Sequence, residues 1–196
     1  MIRITVHWHE RTRPYKRMVM SIWSQPGVKT ILKYLWIFSA LLIIWQVYSS
    51  YSSLPERLAT HFDSSGNPNG WSSRRGFFIL WCSTILGMNA MWLLSVFLIP
   101  LLLRKKLAWT VNIPNKDYWL ATDERIQECS RLMNAMMFGI AFLVNIMMAV
   151  IYNIIVQSNV KTTVRMGMWG IFATAGIMLL FTFVYLFTAF RKPKEE

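Results

Sequence analysis

The sequence predicts an all-α integral membrane protein: four transmembrane helices, both termini on the cytoplasmic side, and a small extracytoplasmic hairpin-like flap between the first two helices. Three observations carry that expectation. They are long apolar runs, an uneven distribution of Lys and Arg, and one polar, turn-rich segment enclosed between two of the runs.

Of the 196 residues, 55% are hydrophobic and only 15% charged, a balance a soluble domain would struggle to keep in solution. A helix needs about 20 consecutive apolar residues to cross the hydrocarbon core of a bilayer. Residues 34–51, 76–103, 134–156 and 167–190 meet that length, and all nine Asp and Glu lie outside them. They frame a membrane domain over 34–190, with a leader at 1–33, an outer loop at 52–75, a second loop at 104–133 and a tail at 191–196. The second run exceeds a minimal crossing, so it tilts or projects beyond the membrane, with Pro100 near its end. The first run begins too late, after a charged leader, to read as a cleavable signal.

Lys and Arg set the orientation. Residues 1–33 hold seven, residues 104–133 six and residues 191–196 three, against five elsewhere. Sixteen against five, with an even number of crossings, puts both termini and the 104–133 loop in the cytoplasm and the 52–75 loop outside. The formal net charge of +12 then reads as contact with anionic lipid on the cytoplasmic side. No nucleic-acid motif accompanies it, so nucleic acid is not an expected partner. On this topology Cys82 and Cys129 lie on opposite sides of the membrane and do not pair.

In the leader, Ile2, Ile4, Val6 and Trp8 alternate with polar residues as a short extended piece, and residues 15–23 fit a helix lying in the headgroup region. His7 and His9 supply too few donors for a closed metal site. In the 104–133 loop, Asn112-Ile113-Pro114-Asn115 is turn-like, and Thr122 with Asp123 and Glu124 has the composition of a helix start that runs on into the third crossing. Trp109, Tyr118 and Trp119 suit an interfacial belt. The segment Asn115, Lys116, Asp117, Tyr118 and Trp119 is also a candidate docking surface for a cytoplasmic partner.

Inside the bundle, Asn89 and Asn145 are expected to hydrogen-bond between helices. Small residues four apart, Ser83 with Gly87, Ala135 with Gly139 and Gly170 with Thr174, permit close helix approach. The last pair is expected on a lipid-facing stripe, available to an assembly partner. Proton or ion pumping usually needs ionisable side chains in the membrane, which these runs lack.

The outer loop carries the chain's most specific chemistry. Leu54-Pro55 ends the first helix, because a proline disfavours helix at the residue before it. Residues 58–63 then alternate weakly, and Gly66-Asn67-Pro68-Asn69-Gly70 is dense turn chemistry that returns the chain at Trp71. Asp63, Ser65, Asn67 and Asn69 sit at the first four ligand offsets of a calcium loop. The pattern breaks where Pro68 replaces its glycine and Arg74 its final glutamate. His61 and Asp63 are expected on one face of a strand as a hydrogen-bonded pair that holds the flap together, with neither a metal nor a catalytic role. No cofactor is expected.

The order Leu54-Pro55, five residues, His61-Phe62-Asp63, then Gly66, Pro68, Gly70-Trp71 and Arg74 resembles the extracytoplasmic motif of a bacterial membrane domain family of unknown function. That domain also occurs in SdpI-type immunity and signal-transduction proteins. Residues 114–121 resemble a cytoplasmic segment that recurs in small four-helix members. SdpI-type proteins protect their producer from a secreted membrane-active toxin and sequester a repressor at the membrane; they carry further crossings that this chain lacks. The resemblance implies a multi-pass protein of the bacterial inner membrane, acting as a non-catalytic sensor or immunity factor for a toxin or peptide ligand. Pro55, His61, Phe62, Asp63, Gly66, Pro68, Gly70, Trp71 and Arg74 would form the recognition loop. Two alternatives stay open: an accessory subunit of a larger membrane complex or homo-oligomer, and a small transporter or membrane enzyme.

Overall fold

A computed structural model of the chain describes residues 22–104, 111–160 and 168–192. The extended piece expected at 2–9, most of the helix expected at 15–23, and Trp109 lie outside the described residues. Five helices and two strands follow in order: α1 (Pro26–Ser50), β1 (Arg57–Phe62), β2 (Pro68–Ser73), α2 (Arg74–Arg104), the short α3 (Lys116–Trp119), α4 (Asp123–Val160) and α5 (Trp169–Ala189). Four of the helices, α1, α2, α4 and α5, are long and apolar enough to cross a membrane. The chain is a multi-pass membrane protein.

Helices α1, α2 and α4 outrun the apolar runs that announced them, whereas α5 falls within its run. Proline at the first helical turn loses no hydrogen bond and presets φ, so α1 opens at Pro26 and takes Lys29 and Lys33 into its first turns. It tightens into a 3₁₀ turn at Tyr51–Ser53 and stops at Leu54, whose φ of −73° and ψ of 140° are the extended geometry that Pro55 imposes. Helix α2 starts directly from β2. The Ser73 hydroxyl accepts the Gly76 N–H at 3.1 Å, a cap at the usual offset. A side chain at Gly76 would press on that cap, its Cβ standing 2.9 Å from Ser72 Oγ and 3.1 Å from Ser73 Oγ.

Helix α4 is the hub: α1, α2 and α5 each pack on it, and α1 also meets α2. At 38 residues it is about 57 Å long, well beyond a hydrocarbon core of about 30 Å. Lipid chains are as apolar as leucine, which leaves packing and hydrogen bonds to hold such helices together. Three packed clusters do so. At the hairpin end, Ile43, Val47, Leu54, Leu58, Phe77 and Tyr152 interlock. Near mid-bundle, Trp36 stacks on Phe138 with centroids 5.4 Å apart. At the opposite end, Leu103, Trp119, Cys129, Leu132, Tyr185 and Phe190 close the core. Cys82 and Cys129 are free thiols.

Candidate functional site

Strands β1 and β2 pair antiparallel, with Arg57 opposite Ser73, Leu58 opposite Ser72, Ala59 opposite Trp71, His61 opposite Gly70 and Phe62 opposite Pro68. Register shifts leave Thr60 and Asn69 as unmatched residues, and such bulges increase local twist. The tip is locked by one side chain. The Asp63 carboxylate accepts the backbone N–H groups of Ser65 and Asn67, each at 2.9 Å, and the Asn67 amide at 3.3 Å. Gly66 supplies the φ of 81° that the turn needs. The Asn67 backbone bond is the largest of several that hold the Asp63 carboxyl below its ordinary value.

The hydrogen-bonded pair expected of His61 and Asp63 is not formed. Asp63 stands beyond the end of β1 and is occupied by turn amides, while the His61 ring lies across the strand pair. Its Nδ1 is 3.2 Å from Thr60 Oγ1. A Cβ at Gly70 would be 2.9 Å from His61 Cβ and 3.0 Å from His61 Nδ1. Gly70 is therefore required by a close crossing, whereas Gly66 is required by its backbone angle. Arg57, His61, Asn69 and Trp71 are exposed on the hairpin, as is Pro55 at its base. The Arg57 guanidinium lies 5.8 Å from the Trp71 ring centre, a contact that stiffens a side chain still 47% exposed.

Three attachments fix the hairpin to the bundle. Leu58 and Ala59 are wholly buried beneath it. The Arg74 N–H donates to the Glu56 carbonyl at 2.9 Å, joining the start of α2 to the start of β1. Asn159, in the last turn of α4, accepts the Ala59 N–H at 2.7 Å and donates its amide to the Ala59 carbonyl at 2.9 Å. Under the joint, Tyr152 stacks on Phe77 at 5.6 Å, meets Trp81 edge-on at 5.1 Å and hydrogen-bonds Ser50. Sequence reasoning did not single out Asn159; the only signal was a run of polar residues, Gln157-Ser158-Asn159, where the third apolar stretch ends.

Asn89 and Asn145 bond each other twice at mid-bundle, each amide donating to the other's oxygen at 3.1 Å. Trp36 Nε1 donates to Asn89 Oδ1 at 2.7 Å, and Asn145 Nδ2 to Ser39 Oγ at 3.2 Å. These four residues join α1, α2 and α4, and their polar groups bond one another within apolar surroundings.

At the opposite end, buried Trp119 and exposed Asn115 both reach the end of α5. Asn115 adopts a left-handed φ of 54°, which asparagine tolerates better than most residues. Its Nδ2 and the Trp119 indole N–H both donate to the Phe190 carbonyl, at 2.9 and 3.1 Å. That carbonyl belongs to the orphan acceptors left at the end of α5. Trp119 is thus 5% exposed and braces α5; it is not the interfacial anchor the sequence suggested. Tyr118 packs under the Arg125 guanidinium at 4.0 Å, and Asp117 is the part of the segment that faces out with Asn115, Lys116 being half-buried.

The small residues divide. At Gly139 a side chain would collide with the Phe181 ring of α5, and at Gly170 a Cβ would press on Val150 and Ile154 of α4 at 3.2 and 3.3 Å. Both serve the α4–α5 contact inside this chain, which removes Gly170 from the lipid-facing role expected of it. Thr174 bonds backward to the Gly170 carbonyl at 2.9 Å. Gly87 has open space where a Cβ would stand.

A family model described as a domain of unknown function (DUF1648) matches residues 37–85. The matched stretch takes in most of α1, the whole hairpin and the beginning of α2, a minority of the chain. Neither a curated protein nor a solved structure matches the chain.

Proposed function

We propose that this chain is a non-catalytic sensor or immunity factor of the SdpI type in the bacterial inner membrane, displaying its hairpin outside the cytoplasm to recognise a membrane-active toxin or peptide. The observation that carries the reading is Trp71: a large exposed aromatic, backed by Arg57, on a hairpin fastened to the hub helix. Rigid aromatics of this kind are frequent recognition anchors. The sixteen-to-five Lys and Arg asymmetry supports the outward side for the hairpin.

A route for relay follows from α4. One end of the helix holds Ala59 through Asn159, and the other begins four residues beyond Trp119. A ligand that shifts the hairpin pulls on a helix whose far end packs beside the Asn115, Lys116, Asp117, Tyr118 and Trp119 segment, where a cytoplasmic partner would respond.

The test is a toxin challenge of cells expressing the chain. Trp71→Ala and His61→Ala should abolish protection with unchanged amounts of protein in the membrane. Full protection by both variants would overturn the reading. A second reading, an accessory subunit, is favoured by Gly87, whose open face on α2 would admit a neighbouring helix. Loss of co-purifying partners in mild detergent with Gly87→Leu, and no phenotype from the hairpin variants, would establish it instead.

A further inference from the structure

A cleft of about 690 Å³ opens beside the hairpin, between the last turn of α1 and the first turns of α2. Its two levels differ chemically. Tyr48, Ser49, Tyr51 and Ser52 supply phenol and hydroxyl groups on the α1 side, and Arg75 supplies a guanidinium on the other; Phe78 and Ile79 line it further along α2, toward the apolar body of the bundle. Arg74 adds a second cation at its edge, 5.9 Å from the Tyr51 ring centre. No carboxylate lines the cleft. Among the described residues Arg75 makes no ion pair; the ion pair found there joins Arg131 to Glu128 at the other end of α4.

The cleft stands where two apolar helices emerge into polar chain, the depth at which phospholipid headgroups lie. Its ordering, with the Arg75 cation at the emerging end and Phe78, whose ring meets Tyr51 at 4.9 Å, and Ile79 toward the bundle, is that of an amphiphile with an anionic head. Arginine matches phosphate oxygens in a planar, two-point fashion. A zwitterionic head would bring an ammonium with no acid to receive it.

We propose that this cleft binds one anionic glycerophospholipid, its phosphate on Arg75 and an acyl chain along Phe78 and Ile79. The site is separate from the exposed Trp71 face and does not depend on which leaflet the hairpin end occupies.

Native mass spectrometry of the full chain in mild detergent tests it, with phosphatidylglycerol, phosphatidylcholine or inorganic phosphate added. The expected result is retention of one phosphatidylglycerol per chain in preference to phosphatidylcholine. Arg75→Gln should weaken retention about fivefold, the scale of one basic residue facing anionic lipid, and Ile79→Trp should weaken it by filling the apolar part while Arg75 remains. Lys29→Gln, in the first turn of α1 at the far end of the bundle, should leave the preference for phosphatidylglycerol unchanged. Equal retention of both lipids, unchanged retention in Arg75→Gln, equal loss in Lys29→Gln, or displacement of the lipid by millimolar phosphate would each overturn the proposal. The last outcome would identify a free-phosphate site. Both residues lie on exposed surface, so these variants probe binding without opening the core.

Discussion

Asn159 of α4 treats Ala59 of β1 as a strand would, accepting its N–H and donating to its carbonyl across 100 positions of sequence. A two-stranded ribbon is marginally stable alone. Here one amide satisfies part of the free edge of β1 and ties the hairpin to the longest helix.

Replacing that amide should release the hairpin without unfolding the bundle. Each of the two bonds contributes about 1 kcal/mol, so Asn159→Leu should accelerate hydrogen exchange at the Ala59 amide by roughly tenfold or more. Amides around Asn145 should keep their protection. Unchanged exchange at Ala59 would refute the role.

The two hairpin glycines should fail for different reasons. Gly70→Ala drives a Cβ against His61 and should loosen the hairpin by about 1–3 kcal/mol, an effect that His61→Gly relieves. Gly66→Ala meets a left-handed backbone requirement costing about 1–2 kcal/mol, and His61→Gly should leave that cost untouched. Limited proteolysis within residues 57–73 distinguishes the two patterns.

The mid-bundle amides should prove coupled. Hydrogen bonds between helices in membranes average about 0.6 kcal/mol and reach about 1.7 kcal/mol. Asn89→Leu and Asn145→Leu should each destabilise the bundle on that scale, and the double variant should cost less than their sum. Additive losses in reversible detergent unfolding would show that the two amides act independently.

Acid should spare the hairpin tip until low pH. The folded-state pKa of Asp63 lies below its ordinary 3.8, so its stabilising contribution is fully present above the unfolded value and is lost as pH falls through the folded one. The amide signals of Ser65 and Asn67 should hold their positions down to about pH 4 and move only below it. Asp63→Asn should remove that low-pH transition.

Sidedness has its own test. Reporter fusions after Gly70 and after Lys116 should give opposite orientations, outside and cytoplasmic respectively, if the Lys and Arg distribution governs insertion. Matching signals would refute the proposed topology.

The four long helices were legible from the chain itself, because hydropathy is local and a bilayer demands about 20 apolar residues wherever it is crossed. The stop at Leu54-Pro55 was equally legible, since it arises from sterics between adjacent residues. Tertiary structure alone decided what the polar side chains meet. An asparagine carries the same donors and acceptors wherever it stands, so only the polar run at 157–159 set Asn159, which grips a strand, apart from exposed Asn153, and it did not say what Asn159 meets. The same holds for Asp63, taken by its own turn before His61 could reach it, and for Trp119, drawn inward by a carbonyl 71 residues away. Gly170 and Gly87 look alike as small residues in apolar helices; only the packing of the helices sets Gly170 against Val150 and Ile154 and leaves open space at Gly87.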